Sequence, residues 1–172
     1  MNKEKQLAFD KRYLRMAQIW AENSYAIKRQ VGCLIVKDNS IISDGYNGTP
    51  SGFENVCETV ECLNQWIQGC VKTTKPIDEV KSVEHCKDCT HSMLVTKPYV
   101  LHAEANAISK LAKGTNHADG ATLYVTDAPC LECSKMIIQC GIRRVVYSRE
   151  YHTNAGKELL KRAGIIVEQI SI

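Results

Sequence analysis

The second half of the chain alternates strand-like and helix-like segments. ATLYVT (121–126) has the composition of a strand, LECSKMII (131–138) that of a helix and RRVVYS (143–148) that of a strand; AGKELLKRAG and IIVEQI then repeat the helix and strand. Such alternation is typical of parallel strands connected by helices. The sequence therefore predicts an α/β fold with helices on a mixed sheet whose later strands are parallel.

The first half of the chain predicts a helix followed by a hairpin. From Leu7 to Ser24 apolar residues recur at steps of three and four, which indicates an amphipathic helix with a buried stripe of Phe9, Tyr13, Met16, Ala17 and Trp20. VGCLIV (31–36) and IISDGY (41–46) flank turn residues, as in a β-hairpin. The segment 103–111 predicts a second helix, whereas 47–99 shows no sustained period and should be ordered by short helices or a metal.

Length and composition predict one globular domain. The chain has 172 residues, of which 44% are hydrophobic and 24% charged, close to globular averages. Its start lacks the apolar run of a signal peptide, and no stretch approaches the roughly 18 apolar residues of a membrane span, so we expect a cytoplasmic protein with no membrane partner. The net charge is only +3 and is scattered, which argues against a nucleic-acid partner.

The nine cysteines are the unusual feature of the composition. Because we expect a cytoplasmic protein and the count is odd, metal ligands and buried free thiols explain them better than disulfides do. Cys33, in a predicted strand, and Cys140, near a helix end, are expected core residues.

Two short motifs, His102-Ala103-Glu104 and Pro129-Cys130-Leu131-Glu132-Cys133, each open a predicted helix. Cys130 and Cys133 lie three apart and share a helix face, so both sulfurs can reach one ion near the helix N-terminus. With His102 they offer three nitrogen and sulfur ligands, which suit Zn²⁺ and leave its fourth position for water. A purely structural zinc site is the alternative, but it would require a fourth protein ligand.

Glu104 is the predicted general base. Two thiolates weaken the activation of water by zinc, so a nearby proton acceptor is needed. The combination of H-x-E with P-C-x-x-C is the known signature of zinc-dependent nucleobase deaminases. In that chemistry the activated water attacks C4 of cytosine, and the glutamate transfers protons to N3 and to the departing ammonia.

At these residues the chain resembles the cytidine and deoxycytidylate deaminase superfamily, from about Tyr13 to the C-terminus. The similarity is carried by HAEANAI (102–108), by GATLYVTDAPCLECSKMIIQCGIRRVVY (120–147) and above all by GYNGTPSG (45–52), which resembles the deoxycytidylate deaminase branch. The resemblance implies a three-layer α/β/α domain with a mixed five-stranded sheet. It also implies conversion of dCMP to dUMP with release of ammonia, which supplies the precursor for thymidylate synthesis, in a homo-oligomer, commonly a hexamer, regulated by dCTP and dTTP.

The resemblance also implies roles for further residues. Asn47 resembles a contact to the substrate sugar, although Asn-Gly is also a strong turn signal, and the backbone at Ala103 resembles the part that holds the base. Arg29 and Tyr147 suit phosphate oxygens chemically, although an arginine such as Arg29 is more often a solvated surface charge. The segment associated with effector binding comprises Gly45, Tyr46, Asn47, Gly48, Pro50 and Gly52.

Residues 1–172 are thus expected to form a single deaminase domain with a Cys/His-rich insertion at about 53–99. Within 35 residues this region carries seven potential ligands: Cys57, Cys62, Cys70, His85, Cys86, Cys89 and His91. Cys86 and Cys89 with two of Cys57, Cys62 and Cys70, for instance Cys57 and Cys70, would close a structural zinc site. The alternative is that they are free buried thiols.

Two other functions compete with dCMP deamination. One is a deaminase of another nucleoside or of a tRNA base, which would require a basic groove or the loss of a phosphate contact. The other is a zinc-organised binding module without catalysis, which would tolerate Glu104→Gln.

Overall fold

The computed structural model describes residues 2–62 and 92–172, which divide into two compact units. Among the described residues, the first unit consists of the segments up to Ser24, Gln30–Asn47 and Leu101 onward. The second unit consists of Tyr25–Arg29 and the described residues between Gly48 and Val100. In chain order the elements are α1 Lys3–Ala21, β1 Gly32–Lys37, β2 Ser40–Tyr46, β3 Glu58–Cys62, β4 Ser92–Thr96, α2 Ala103–Leu111, β5 Thr122–Asp127, α3 Leu131–Gln139, β6 Arg144–Arg149, α4 Ala155–Arg162 and β7 Ile166–Gln169.

A five-stranded mixed sheet in the order β2-β1-β5-β6-β7 forms the centre of the first unit. β1 is antiparallel to β2 and β5, whereas β5, β6 and β7 are parallel. The hairpin turn between β1 and β2 consists of Asp38 and Asn39, both with positive φ (50° and 62°), as a two-residue turn of the primed type requires. The predicted hairpin and mixed sheet are therefore confirmed.

Helices cover both faces of this sheet, because alternate strand residues point to opposite sides. On one face Leu14 and Ala17 of α1 pack in a cluster with Leu34, Val36, Tyr124 and Val146. On the other face α2, α3 and α4 contribute Ala107, Ile137 and Leu160 to a larger cluster that contains the alternate strand residues Cys33, Ile35, Leu123, Val125 and Val145. The arrangement is the predicted three-layer α/β/α fold, and Cys33 is a core residue as predicted.

The predicted buried stripe of α1 is wrong in part. The helix buries Asp10, Leu14, Ala17 and Ala21, while Met16 and Trp20 are 44% and 38% exposed. Asp10 is buried because Arg144 donates two hydrogen bonds of 2.8 Å to its carboxylate and Tyr124 donates one of 2.7 Å. Because of this buried ion pair, the face of α1 that packs on the sheet includes a charged residue. The pattern of apolar residues alone therefore does not identify that face.

The second unit contains a two-stranded antiparallel sheet of β3 and β4. Short helices or a metal were expected to order this region, so the strands are a correction for its described part. The buried carboxylate of Glu58, at the start of β3, accepts hydrogen bonds from the backbone N–H groups of Ile27 and Lys28 at 3.3 and 3.2 Å. These bonds attach the segment Tyr25–Arg29 to β3 within this unit.

None of the helices in residues 2–62 and 92–172 combines the length and the apolar character that a membrane crossing needs.

Candidate metal centre

The candidate metal ligands lie at the N-termini of two helices. His102 is the N-cap of α2, with extended backbone angles, and Cys130 is the N-cap of α3. Cys133 lies in the first turn of α3, where its N–H donates to the Cys130 sulfur at 3.5 Å. Because α3 follows β5 directly, the two cysteines lie beyond the carboxyl end of a parallel strand, where ligand sites of open α/β sheets are found.

The three donor atoms have the spacing of ligands to one ion. The Nδ1 atom of His102 lies 3.4 Å from both the Cys130 and the Cys133 sulfur, and all three atoms lie within 4.8 Å of one another. Zinc bonds of about 2.3 Å to sulfur and about 2.0 Å to nitrogen, at a tetrahedral angle, would separate the nitrogen from each sulfur by about 3.5 Å. The donor set and its geometry therefore fit zinc, with Nδ1 as the ligand atom of the imidazole.

The protonation of the two thiols is coupled. A hydrogen bond from Cys133, helped by His102, lowers the pKa of Cys130 to about 3 despite partial burial. The pKa of Cys133 is raised, because its proton is held in the hydrogen bond to Cys130 and because burial disfavours a second thiolate. Binding of a dication here would therefore release a proton from Cys133.

Glu104 is buried beside this cluster, with only 4% of its surface exposed. Burial raises the pKa of Glu104 to about 7, and the negative charge at Cys130 acts in the same direction. A bound dication would lower this pKa again. Glu104 is the second residue of α2 and His102 lies just before the helix, so the two are not on opposite faces of a regular helical turn. Burial and a bound dication thus act on the pKa of Glu104 in opposite directions, and the carboxyl group lies where it can exchange a proton with a water bound by the ion.

Residues 128–130, between β5 and α3, form the Cys130 loop. Several residues that support this loop were not predicted from the sequence. The hydroxyl of buried Ser134 donates to the Cys130 carbonyl at 2.8 Å. A β-carbon placed on Gly156, in the first turn of α4, would lie 2.1 Å from the Pro129 carbonyl oxygen. Arg149 donates to Asp127 at 2.6 Å, three residues before Cys130. The contacts of Arg149 and Gly156 have no local signal in the sequence, because both residues belong to elements far along the chain from Cys130.

The GYNG segment begins in the first unit. The Asn47 side-chain oxygen accepts from the Val31 N–H at 2.8 Å, a bond that joins the end of β2 to the residue before β1. Asn106 of α2 donates to the Tyr46 carbonyl at 3.0 Å. Gly45 packs against the α2 backbone at Ala103, which is itself fully buried. These contacts attach the strand end that carries Asn47 to the helix that carries Glu104.

The other candidate contacts are divided between the two units. Arg29 is exposed and belongs to the second unit, as do Gly48, Pro50 and Gly52 of the candidate effector segment. The hydroxyl of Tyr147 donates to Glu150 at 2.9 Å, and the Lys157 ammonium lies 5.5 Å from the centre of its ring. A phosphate role for Tyr147 would have to compete with the bond to Glu150.

The candidate second zinc site can be described only at Cys57. This residue is buried in the second unit, where burial and the neighbouring Glu58 raise the pKa of its thiol. Cys70, His85, Cys86, Cys89 and His91 lie outside the described residues. The second zinc therefore stays a prediction.

Comparison with known sequences supports the reading of the motifs. The family model of the cytidine and deoxycytidylate deaminase zinc-binding region matches residues 7–149. The chain is 36% identical to the deoxycytidylate deaminase of Saccharomyces cerevisiae over 99% of its own length and 49% of that protein. It is also 36% identical to the deoxycytidylate deaminase of Enterobacteria phage T2 over 90% of its own length and 88% of that protein. The chain thus spans about half of the yeast relative and most of the phage one.

A solved structure gives the same result. The dCMP deaminase from cyanophage S-TIM5, in complex with dCMP and dUMP, is 33% identical, and the match covers 99% of each chain with a TM-score of 0.73. Together with the zinc-binding family match and the His102, Cys130 and Cys133 cluster, these similarities identify the chain as a member of the cytidine and deoxycytidylate deaminase family.

Proposed function

We propose that the chain catalyses the hydrolytic deamination of dCMP to dUMP and ammonia. The observation that carries this proposal is the cluster of His102, Cys130 and Cys133 with the buried carboxyl of Glu104 beside it. The relatives named as deoxycytidylate deaminases and the similar structure in complex with dCMP and dUMP support the choice of substrate.

His102, Cys130 and Cys133 are the proposed zinc ligands. Zinc bound by three protein ligands supplies a Lewis acid that activates the attacking water. The N-termini of α2 and α3 lie at the ligands, and their backbone dipoles favour the negative charge of the thiolates. The Cys130 sulfur also accepts the Cys133 N–H bond, which holds it in place as an N-cap.

Glu104 is the proposed proton carrier. Its carboxylate takes a proton from the attacking water and delivers it to N3 of the cytosine ring. A second proton, from the hydroxyl group that is now bonded to C4, passes through the same carboxyl to the amino group on C4, which leaves as ammonia while the C4 oxygen becomes the carbonyl of dUMP. Burial supports this role, because it raises the pKa of Glu104 and so opposes the lowering by a bound dication, which helps the carboxyl group to hold a proton before returning it.

The remaining substrate contacts are proposed with the support of the local structure. Asn47 would contact the sugar, since its position is fixed by bonds between Asn47 and Val31. The backbone at Ala103 would hold the base, and Arg29 and Tyr147 would contact the phosphate. The Tyr147 hydroxyl donates to Glu150, so it would exchange that bond for one to the phosphate.

We also propose a structural zinc in the Cys/His-rich region at about 53–99, within a single deaminase domain of residues 1–172. Cys57 with Cys70, Cys86 and Cys89 is the proposed ligand set, supported by the number of ligands and by the burial of Cys57. Metal analysis should find two zinc ions per chain, and Cys86→Ser/Cys89→Ser should reduce this to one while the catalytic zinc is retained. One zinc in the unaltered protein would contradict the proposal.

Regulation and assembly are proposed from the family alone. The segment from Gly45 to Gly52 would bind dCTP as activator and dTTP as inhibitor, in a homo-oligomer, with the hexamer as the expected form. The product dUMP would supply thymidylate synthesis from the free nucleotide pool of the cytoplasm. Turnover curves with each effector and light scattering of the purified protein test these points.

The test of the main proposal is direct assay of substrates. The purified protein is incubated with dCMP and, separately, with deoxycytidine, cytidine, dCTP and a tRNA, and ammonia release is followed with and without a zinc chelator. Chelator-sensitive turnover of dCMP alone is expected. Activity restricted to tRNA or to an unphosphorylated nucleoside would move the chain to another branch of the family, and none on any substrate would favour a binding module.

A further inference from the structure

Arg149 and Asp127 join the ends of two neighbouring parallel strands. Arg149 is the last residue of β6 and Asp127 the last residue of β5, and the two are register partners. The Arg149 Nε atom donates to Asp127 Oδ1 at 2.6 Å, and the Arg149 carbonyl accepts the Ala128 N–H at 2.8 Å. Both the side chain and the backbone of Arg149 thus hold the segment that leads to Cys130.

The same guanidinium reaches a second segment of the first unit. Its Nη2 atom donates to the Gln30 carbonyl at 3.1 Å. The next residue, Val31, exchanges two bonds with Asn47: its N–H donates to Asn47 Oδ1 at 2.8 Å, and its carbonyl accepts the Asn47 N–H at 3.1 Å. Arg149 therefore binds the residue next to Val31, and Val31 holds Asn47 in place by its two hydrogen bonds.

The segment between Asp127 and Cys130 is short and stiff. It consists of Ala128 and Pro129, both buried, and Pro129 has its φ angle fixed by its ring. A displacement of Asp127 is consequently transmitted to Cys130 rather than absorbed by the loop.

We propose that Arg149 is a positioning residue that sets the placement of the metal ligand Cys130 relative to Asn47. The proposal rests on the proposed function for the role of Asn47 and on the fit to zinc for the role of Cys130. Arg149 touches neither the ligands nor the reacting atoms; it acts through Asp127 on one side and through Gln30 on the other.

The exposure of the ion pair favours positioning over stabilisation. The Arg149 side chain is 52% exposed, although that of Asp127 is only 6% exposed, so solvent screens the guanidinium and the pair contributes less net stability than one that is buried on both sides. A guanidinium, however, presents several donors in a rigid plane, so it can bind a carboxylate and a carbonyl at once. Lysine could keep the bond to Asp127 but has no rigid fork with which to bridge to Gln30.

Arg144 provides a matched control in the same strand. It lies at the other end of β6 and binds the carboxylate of Asp10, with side-chain exposures of 17% and 2%. Its replacement should cost more stability than that of Arg149, because both partners of the Arg144–Asp10 pair are shielded from solvent, whereas water reaches the guanidinium of Arg149. It should nevertheless leave the metal ligands unchanged.

The experiment compares Arg149→Leu and Arg149→Lys with Arg144→Leu and Arg144→Lys. Each purified protein is loaded with Co²⁺, whose visible absorption bands report on thiolate ligation. Zinc affinity is then measured by competition with a chelator, Tm by thermal unfolding, and kcat and KM with dCMP. The lysine variants keep the cation at each position, so the comparison still holds if a leucine variant folds poorly.

The expected result separates the effect of the Arg149 bond to Asp127 from that of its bond to Gln30. Arg149→Leu should shift the Co²⁺ bands, weaken zinc binding about tenfold and raise KM, whereas Arg149→Lys should recover the metal readouts but keep a raised KM. The Arg144 variants should lower Tm with unchanged Co²⁺ bands and zinc affinity.

Two outcomes would overturn the proposal. One is an Arg149→Leu variant with the Co²⁺ bands and zinc affinity of the unaltered protein. The other is the same change of bands in an Arg144 variant, which would make the effect one of general destabilisation. Because the metal readouts need no substrate, they decide on Arg149 even if the unaltered protein fails to deaminate dCMP, a failure that would count against the proposed function alone.

Discussion

Gly45 of β2 lies directly against the carbonyl oxygen of Ala103, the first residue of α2. A β-carbon built on Gly45 would be 2.2 Å from that oxygen and 2.6 Å from the backbone nitrogen of Ala107. Both contacts are to helix backbone, which no side-chain rotation can relieve. The absence of a side chain at Gly45 therefore allows α2, and Glu104 with it, to pack closely on the sheet.

Gly45→Ala should consequently push α2 away from β2. We expect a loss of about 1–3 kcal/mol in the free energy of unfolding, as for other overpacked sites, together with reduced deaminase activity, because Glu104 moves with the helix. Urea unfolding and dCMP turnover measure the two effects. Gly114→Ala is the control, since a β-carbon there approaches no atom closer than 4.0 Å; equal stability of the two variants would refute the packing role.

The sequence predicted the elements and the grouping of His102, Cys130 and Cys133 well because both depend on local patterns. Helical and strand periods identified α2, β5, α3, β6, α4 and β7 to within a few residues, and His102, Cys130 and Cys133 lie in two short motifs. A spacing of three residues near a helix start is enough to bring Cys130 and Cys133 together.

Contacts between distant parts of the chain were the ones that could not be predicted. The buried face of α1 is decided by Asp10, whose partner Arg144 lies 134 residues away. Similarly, β3 pairs with β4 across 29 intervening residues that the structure does not describe, and neither strand has a clear alternating pattern. Gly45 is a similar case. Its motif indicates a role in ligand binding, but the sequence gives no sign of its close packing against Ala103, which depends on the tertiary structure.

Gly156→Ala should weaken the metal site from the opposite side. Its β-carbon would lie 2.1 Å from the Pro129 carbonyl oxygen and 2.8 Å from the Cys130 carbonyl carbon. Replacing glycine by alanine in a helix normally stabilises it, by up to about 1 kcal/mol, so a lower Tm here would identify the clash. We expect that lower Tm together with weaker zinc binding in chelator competition. An unchanged zinc affinity would show that the Cys130 loop does not depend on α4.

Glu104→Gln should separate catalysis from metal binding. Glutamine has nearly the same shape but cannot carry a proton between the attacking water and the ring, so kcat should fall by about 10²–10⁴-fold. His102, Cys130 and Cys133 are untouched, so the zinc content should remain that of the unaltered protein. Both are measured on one preparation, by dUMP formation at saturating dCMP and by metal analysis. Full activity in this variant would refute the assignment of Glu104.

Asp10 should make the stability of the protein dependent on acid pH. Burial alone would raise the pKa of Asp10, but the hydrogen bonds from Arg144, Tyr124 and Gln6 outweigh it, so the pKa is lowered in the folded state. The unfolded chain therefore takes up the Asp10 proton first as the pH falls. The stabilisation is complete above the unfolded pKa of about 3.9 and is lost as the pH falls through the lower folded value.

Asp10→Asn tests this sign. Asparagine keeps the shape but loses the charge that attracts Arg144, so at pH 7 we expect a loss of about 2 kcal/mol in the free energy of unfolding, the scale of a hydrogen bond to a charged group. Because asparagine does not titrate, the gap to the unaltered protein should stay constant down to about pH 4 and narrow below it in urea unfolding. Asp38→Asn, at an exposed turn position with φ of 50° that asparagine tolerates, is the control. A gap that stays constant with pH would show that Asp10 stabilises the fold by its shape and hydrogen bonds rather than by its charge.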